Sequence, residues 1–423
     1  MDVLRIVVIG GGPAGMMAAI RGAQLHQDVT LLEKNTTLGK KLLLSGKGRC
    51  NLTNTCDLDS FLKRFSHHGE FLRDAFKKFF NQDLINFFET RGLKLKTERQ
   101  LRVFPLTDRS GSILEILKKE LEKNKVKVIY KAQVKSISVQ SGAVNGAHLT
   151  GEEFVASDKV ILATGGISYA FTGSNGEGLK IAGNLGHQIT PLRQGLVPLK
   201  VKEKFVKELE GLTLKNIRIK FIFGKKEILS EIGELLFTGF GISGPLVLTL
   251  SGKVVDWLSD GGQVFAEIDL KPGLTREQLD ARVLREFEAS PRKNIKNVLK
   301  SLLPQRLVDC FLELAKIKSE KQAAQISREE REKIVTLLKG LRLEIAGALP
   351  IEEAMVTRGG VSLKEINPRT MESRKIKGLY FCGEMIDIDA DTGGFNLQAA
   401  FSTGYLAGES AALKEDEKNI SGV

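Results

Sequence analysis

The run Leu4-Arg5-Ile6-Val7-Val8-Ile9-Gly10-Gly11-Gly12-Pro13-Ala14-Gly15 decides the fold. Apolar and β-branched residues pass straight into three glycines, and a helix-forming segment from Ala14 to Gln24 follows. That succession reads as a buried parallel strand, a tight turn and a helix N-terminus. The spacing Gly10-x-Gly12-x-x-Gly15 suits a dinucleotide pyrophosphate. Gly10 permits the turn, Gly12 lets backbone approach the phosphates, and Gly15 lets helix and strand pack closely. Pro13 and Ala14 fall inside the same cradle, where free amides and the positive end of the helix dipole meet negative charge. A second strand, Val29-Thr30-Leu31-Leu32, ends at Glu33, where an acceptor for the ribose hydroxyls is expected, with Lys34 beside it.

Working outward, 423 residues allow two or three domains with real cores. A hydrophobic content of 42% and a charged content of 27% are those of a globular chain. The first strand begins almost at Met1, which leaves no room for a signal peptide, and no apolar run reaches the ~20 residues that span a bilayer. Cys50, Cys56, Cys310 and Cys382 have no metal-ligand spacing and are too few for a secreted disulfide scaffold. A reducing cytoplasm, with no membrane and no metal, is therefore expected. The net charge of +12, from 63 basic and 51 acidic side chains, suits a polyanionic partner, although a lysine-rich solvated surface alone produces the same sum.

A loop from Lys34 to Asn54 carries Gly39-Lys40-Lys41-Leu42-Leu43-Leu44-Ser45-Gly46-Lys47-Gly48-Arg49-Cys50-Asn51. Glycines beside cations let backbone hug an anion, and the three leucines argue that the loop packs down. It is no P-loop, because Lys41 stands where the first glycine would fall. Residues 57–93 read as helices, with Phe71, Phe76, Phe79, Phe80, Phe87 and Phe88 as core and Asn81 capping Gln82 to Thr90. Ser112 to Asn124 is amphipathic. Strands are expected at Val126–Tyr130, Gln133–Val139, Val144–Leu149 and Glu153–Val155, and again at Asp158–Gly166, which ends in Ala163-Thr164-Gly165-Gly166. Thr172-Gly173-Ser174-Asn175-Gly176 then leads into a helix. No second strand-Gly-x-Gly-x-x-Gly unit is present, so a separate nicotinamide-binding domain is not expected.

From about Gly195 the texture changes. Leu196–Val201, Leu214–Phe223, Glu227–Phe237 and Gln263–Leu270 read as strands, and 275–340 as mostly helical, with Ser327 capping Arg328 to Leu338. Residues 200–341 hold 26 basic and 20 acidic side chains, and 291–341 alone hold 12 against 6. Strand character returns at Glu344-Ile345-Ala346 and at Ala354–Val361. The chain closes with Leu379-Tyr380-Phe381-Cys382-Gly383-Glu384, then Gly393-Gly394-Phe395-Asn396-Leu397 opening a helix to about Leu413, and a polar, frayed tail after Lys414. The expected fold class is α/β: an FAD-binding Rossmann-like fold of the two-dinucleotide-binding type, built from both chain ends, with an inserted β-barrel-like and helical region. The expected boundaries are 1–194, 195–274, 275–342 and 343–423.

The chain resembles the bacterial BaiN/RdsA family of NAD(P)/FAD-dependent oxidoreductases. The resemblance is carried by Gly39-Lys40-Lys41 with Ser45 to Asn51, Arg102-Val103-Phe104-Pro105, and Thr172-Gly173-Ser174 with Gly176. It continues through Leu236-Phe237-Thr238 with Gly241-Ile242-Ser243-Gly244-Pro245, Val356-Thr357 with Gly359-Gly360-Val361, and Thr370-Met371-Glu372-Ser373. The segment from Gly378 to Asn396 completes it. One position departs: relatives usually carry histidine where Gly239 stands, and no other histidine of this chain replaces it.

The resemblance implies an FAD enzyme with NADH or NADPH as transient co-substrate. It implies cofactor contacts at Lys34, Lys41, Gly46, Arg49, Cys50 and Asn51 in the basic loop. Val134, Ala163, Thr164 and Gly165 belong to the same set, as do Gly383, Glu384, Gly394, Phe395, Asn396 and Leu397. It also implies one of three activities: reduction of a uridine in 23S ribosomal RNA to dihydrouridine, bile-acid chemistry, or amino-ketone oxidation. The basic insert fits ribosomal RNA, with Lys293, Lys296 and Lys300 expected to share a helical face toward phosphates. A small-molecule reductase or oxidase, and a flavin-carrying RNA-binding protein without turnover, are the alternatives. A uracil that receives hydride also needs a proton, for which Cys50 and Tyr169 are the candidate donors.

Overall fold

The computed structural model describes residues 3–413, so the tail expected to fray after Lys414 lies outside the described residues. The chain divides into two compact units, Met1–Gln194 with Ile351–Val423, and Gly195–Pro350.

In the first unit five strands form a parallel sheet: β1 (Arg5–Ile9), β2 (Asp28–Glu33), β3 (Lys127–Tyr130), β4 (Lys159–Leu162) and β5 (Leu379–Phe381). Their order is β5-β4-β1-β2-β3, with Val8 facing Ile161 on one side and Leu31 on the other. The central strand is apolar without alternation because both faces of such a sheet are covered: Ile6, Val7, Val8 and Ile9 are all buried. One edge of the sheet, β5, comes from the last part of the chain, so a strand near the C-terminus completes what the N-terminus begins.

Helix α1 (Pro13–Gln24) follows β1 directly, with proline at its first position, where the missing N–H costs nothing. The basic loop is more ordered than a loop: it holds a short helix, α2 (Lys40–Leu44), a distorted turn over Ser45–Gly48 and a two-residue strand, Thr53–Asn54. The C-terminal helix, α3 (Phe395–Ala412), packs on α1 at close range. A Cβ on Gly404 would meet the Ala14 carbonyl oxygen at 2.2 Å, and one on Gly408 would meet the Ala18 carbonyl oxygen at 2.3 Å. Two glycines four apart on one helix thus face two alanines four apart on the other, and the backbones touch.

Of the phenylalanines named in 57–93, Phe76, Phe79, Phe87 and Phe88 are buried in the core, as their spacing predicts, and Phe71 and Phe80 are half-buried against it. Phe61 sits edge-on to Phe76, Phe80 and Phe395 at centroid distances of 5.2, 5.1 and 4.7 Å. Phe79 stacks on Tyr405 of α3. Asn81, however, is the first residue of the helix Asn81–Glu89 and not its cap. Its side-chain amide is taken by the Asn54 and Cys56 carbonyls, and Asp83 accepts the Phe80 N–H instead. The amphipathic helix begins earlier than expected, at Ser110, whose hydroxyl bonds the Leu43 carbonyl. The expected strand Ala354–Val361 is reduced to Val356–Arg358, since Gly359 and Gly360 take positive φ and pack on backbone.

In the second unit six antiparallel strands close on themselves. Thr213–Phe223 pairs with Gly233–Thr238, then come Gly241–Ser243, Leu199–Val201, Leu341–Ala348 and Val264–Asp269, which pairs back to Thr213–Phe223. Closure leaves no exposed edge within the ring. The run Glu227–Phe237 is two strands, Lys226–Leu229 and Gly233–Thr238, divided where the Ser230 hydroxyl turns back to the Ile219 N–H and the Glu231 carbonyl. The helix Pro245–Ser259 and the helical stretch over 276–339 share one hydrophobic core with the barrel. Ser327 caps Arg328–Lys339, accepting the Glu330 N–H, while Glu330 returns to the Ser327 N–H.

Candidate functional site

The site is built where β1, β2, β4 and β5 end. Gly10 has φ +107°, and a Cβ there would lie 2.6 Å from the Ala163 carbonyl oxygen, so the glycine turn is wedged against the end of β4. A Cβ on Gly15 would lie 1.9 Å from the Gly10 carbonyl oxygen, whereas one on Gly12 would meet no atom within 4 Å. Two of the three fingerprint glycines are thus demanded by the fold itself. Gly12 is demanded only by whatever enters the open side. No side chain caps α1, and its first backbone bond is Met16 N–H to Gly12 carbonyl. The amides of the first turn therefore face the cradle.

Glu33 ends β2 as expected, buried to 7% exposure. One oxygen accepts the Gly11 N–H (2.8 Å), and the other accepts the Asn35 N–H and side-chain amide (2.8 and 2.7 Å). A carboxylate offers about four acceptor positions, so one remains for a hydroxyl. Lys34 is tied to Asn175 and Glu177 at the start of the helix Glu177–Asn184. Val134 is buried and paired with Leu149 in a three-stranded meander.

Lys41 and Glu384 meet. The Lys41 ammonium donates to both Glu384 oxygens (2.8 and 2.6 Å) and to the Ser168 hydroxyl (2.7 Å). Glu384 also accepts the Ser168 hydroxyl (2.9 Å) and the Thr357 N–H (2.7 Å). Thr357 Oγ1 in turn accepts the Ile167 and Ser168 N–H groups. Ser168 and Thr357 are buried, and neither is singled out by sequence because a lone hydroxyl carries no spacing signal. The signal that could find them is Thr357's place in the Val356-Thr357 motif quoted above and Ser168's place two residues after Gly165-Gly166. Thr164 donates to the Met385 sulfur, and Gly165, at φ +76°, packs on Ser174.

Other loop residues turn inward on the protein. Arg49 is bound by Glu98 and Asp108 and lies 4.3 Å from the Phe104 ring centre. Those two carboxylates, Glu98 foremost, hold its guanidinium above its ordinary pKa. Gly46 adopts φ +58°, and a Cβ there would lie 2.8 Å from the Asn51 backbone nitrogen. Cys50 is fully buried with φ +61°, and burial pushes its thiol up to about 12. The Asn51 amide oxygen accepts the Gly394 N–H (3.1 Å) while its NH2 group donates to the Thr53 carbonyl. A Cβ on Gly394 would fall 2.5 Å from that same carbonyl, so the basic loop and the start of α3 touch backbone to backbone.

Helix α3 also starts without a side-chain cap. Phe395 is buried against Phe61, and Leu397 is half-buried. The Asn396 side chain grips the preceding loop through the Ala390 N–H and carbonyl. In that loop burial raises the pKa of Asp389, with Asp387 acting in the same sense. The Ser66 hydroxyl (2.5 Å), Arg358 and His67 oppose the shift. Tyr169 is half-buried at positive φ, its N–H donated to the Glu352 carbonyl, and burial raises its phenol.

In the second unit the expected shared face of Lys293, Lys296 and Lys300 does not form. The helix there spans only Ile295–Leu299, so Lys293 lies before it and Lys300 after it. Lys296 is paired with Asp309 at 2.7 Å, and Lys300 bonds Asn297. Beside Gly239 the space where a side chain would start belongs to Glu210, whose carboxylate oxygen would lie 3.0 Å from a Cβ. Among the described residues no group of three or more His, Cys, Asp or Glu side chains could hold a metal, and no helix is long and apolar enough to cross a membrane.

A parallel sheet ending in a glycine cradle, an acid on the second strand and two uncapped helix N-termini fit FAD and define an FAD-binding Rossmann-type protein. The chain belongs to the HI0933-like family, matching its Rossmann domain over residues 4–410, and is an FAD-dependent oxidoreductase. It is 34% identical over 414 residues to a 3-dehydro-bile acid delta(4,6)-reductase of Clostridium scindens, covering 96% of this chain and 99% of that protein. It is 31% identical over 403 residues to a ribosomal RNA dihydrouridine synthase of Haemophilus influenzae, covering 94% and 96%. Against the Escherichia coli protein of the same name it is 30% identical over 410 residues, covering 97% and 98%. Among solved structures, a 3-ketosteroid delta1-dehydrogenase of Sterolibacterium denitrificans shares the fold at TM-score 0.56 and 12% identity, covering 97% of this chain and 100% of that one.

Proposed function

We propose that the protein reduces a carbon–carbon double bond conjugated to a carbonyl, and that the bond is in a uridine of large-subunit ribosomal RNA. The two kinds of named relative share this chemistry, since a delta(4,6) bile-acid enone and the uracil ring both present an alkene conjugated to C=O. FAD held by the glycine cradle and Glu33 would supply the hydride, with NADH or NADPH as its reductant. The chain's own contributions are the uncapped start of α3, which favours negative charge at that end, and a group that delivers a proton to the adjacent carbon. We assign the proton to Tyr169, which is half-exposed, in preference to Cys50, whose buried thiol at about 12 is out of a substrate's reach.

The observation that carries the RNA reading is charge. Arg292, Lys293, Lys300, Lys316, Lys318 and Lys333 are all exposed within a stretch that has twice as many basic as acidic side chains. A nucleic acid needs such a surface and a small apolar substrate does not. The slightly higher identity to the bile-acid reductase favours the second reading, a small conjugated ketone. The deciding measurement is nucleoside analysis of ribosomal RNA from cells with and without the gene. Loss of a dihydrouridine on deletion supports the first reading. Unchanged dihydrouridine, with purified protein reducing a steroid enone, establishes the second.

A further inference from the structure

We propose that Lys41 and Glu384 are a positioning pair that closes a ring of chain around the phosphate cradle and sets its width for the dinucleotide. The inference rests on FAD as the cofactor. The ring starts at the glycine turn, where Gly39, at φ +68°, donates its N–H to the Gly11 carbonyl (2.9 Å) and so ties the head of α2 to the fingerprint. Within the first turn of α2, Lys41 reaches Glu384. Glu384 follows Gly383, and a Cβ on Gly383 would lie 2.8 Å from the Ala14 Cβ in the first turn of α1. The path from Gly11 through Gly39, Lys41, Glu384 and Gly383 to Ala14 therefore returns to the helix end it left.

Neither charge has much left to offer a ligand. An ammonium has three N–H donors, and those of Lys41 are matched by two Glu384 oxygens and the Ser168 hydroxyl. Glu384 Oε1 holds three donors and Oε2 one. The pair is mostly shielded from water, with side-chain exposures of 25% and 20%. Removing one partner leaves the other desolvated without compensation, whereas removing both does not. The two residues act on the cofactor through the backbone they hold, and their effects must be coupled.

The test is the FAD dissociation constant of apo-protein, read by flavin fluorescence, beside the thermal midpoint of the same apo-protein. Lys41→Met and Glu384→Gln are each expected to weaken FAD about tenfold, and the double variant to be no weaker than the poorer single. The amide introduced by Glu384→Gln keeps an acceptor for the Thr357 N–H and the Ser168 hydroxyl, so the substitution removes the charge and not the hydrogen-bond site. Lys41→Arg, which can restore the pair, is expected to stay within about threefold of wild type. Additive losses would make Lys41 a direct phosphate ligand and overturn the proposal. Unchanged affinity with a lowered midpoint would reduce the pair to a stabilising contact. If Lys41→Met is insoluble, wild-type affinity in Glu384→Gln overturns the proposal by itself. Wild-type protein that takes up no FAD would instead sink the cofactor reading.

Discussion

Gly404 stands directly over Ala14, with room for a hydrogen and nothing more: a Cβ at Gly404 would lie 2.2 Å from the Ala14 carbonyl oxygen. Because the obstacle is backbone, Gly404→Val must push α3 away from α1. We expect a loss of about 3 kcal/mol in unfolding free energy, at the upper end for overpacked sites, together with loss of FAD, since Ala14 lies in the cradle. Urea denaturation of apo-protein measures the first effect. A variant as stable as wild type would mean that the helices do not approach as closely as described.

Gly12 and Gly15 should behave differently under substitution. Gly12 has φ −81° and open space around it, so Gly12→Val should fold with near-normal stability yet fail to bind FAD. Gly15→Ala would drive a methyl into the Gly10 carbonyl and should lose both stability and cofactor. Circular dichroism melts and flavin content of the two purified variants separate these outcomes. Equal instability of both would show that Gly12 serves the fold.

This pair also marks what can be read from sequence. The fingerprint, the acid at Glu33 and the closing Gly383-Glu384 strand all lie on short local patterns, strand into glycine into helix, and their roles in the parallel sheet are legible from spacing. The partners of Lys41, Arg49 and Glu384 are not. They sit far away in sequence, and a cation beside glycines looks the same whether it awaits a phosphate or a carboxylate already in the protein. Asn81 misleads for the same reason: its amide is claimed by Asn54 and Cys56, contacts that no helix-start pattern encodes. Counting residues places the three lysines of the insert on one face, but the helix that would carry them ends after five residues.

The buried thiols give a pH dependence of defined sign. Cys50 and Cys310 are both pushed up to about 12 from an ordinary 9.0, mainly by burial. The folded protein keeps these protons between pH 9 and 12 while the unfolded chain releases them. Above pH 9 the unfolded state therefore gains stability relative to the folded one, and the loss is complete once pH has risen through 12. The urea midpoint of wild type should fall more between about pH 8.5 and about 10.5 than that of a Cys50→Ala/Cys310→Ala variant. At neutral pH, iodoacetamide should leave Cys50 unlabelled in the native protein. Rapid native labelling of Cys50 would contradict its burial and reopen its candidacy as a proton donor.

For the insert, reversing the exposed Lys293 and Lys300 to Glu should weaken RNA binding and flatten its dependence on salt. FAD content and nicotinamide oxidation should not change. Lys296→Glu should in addition place a carboxylate against Asp309 and cost stability, because that lysine is already paired. Filter binding across a salt series, with dihydrouridine scored in cells carrying each variant, reads the RNA effect; flavin absorbance with nicotinamide oxidation, and a urea melt, read the other two. Salt-insensitive binding in wild type would defeat the RNA reading.

The order of strands in the parallel sheet has a consequence for biosynthesis. β1 and α1 leave the ribosome well before β4, the neighbour that β1 pairs with. β5 and α3 follow later still. At roughly 5–20 residues per second, the nascent fingerprint waits tens of seconds for the elements that bury it. A chain released before β5 is made should therefore leave β4 as an open sheet edge and α1 without its partner α3, and should fail to retain FAD.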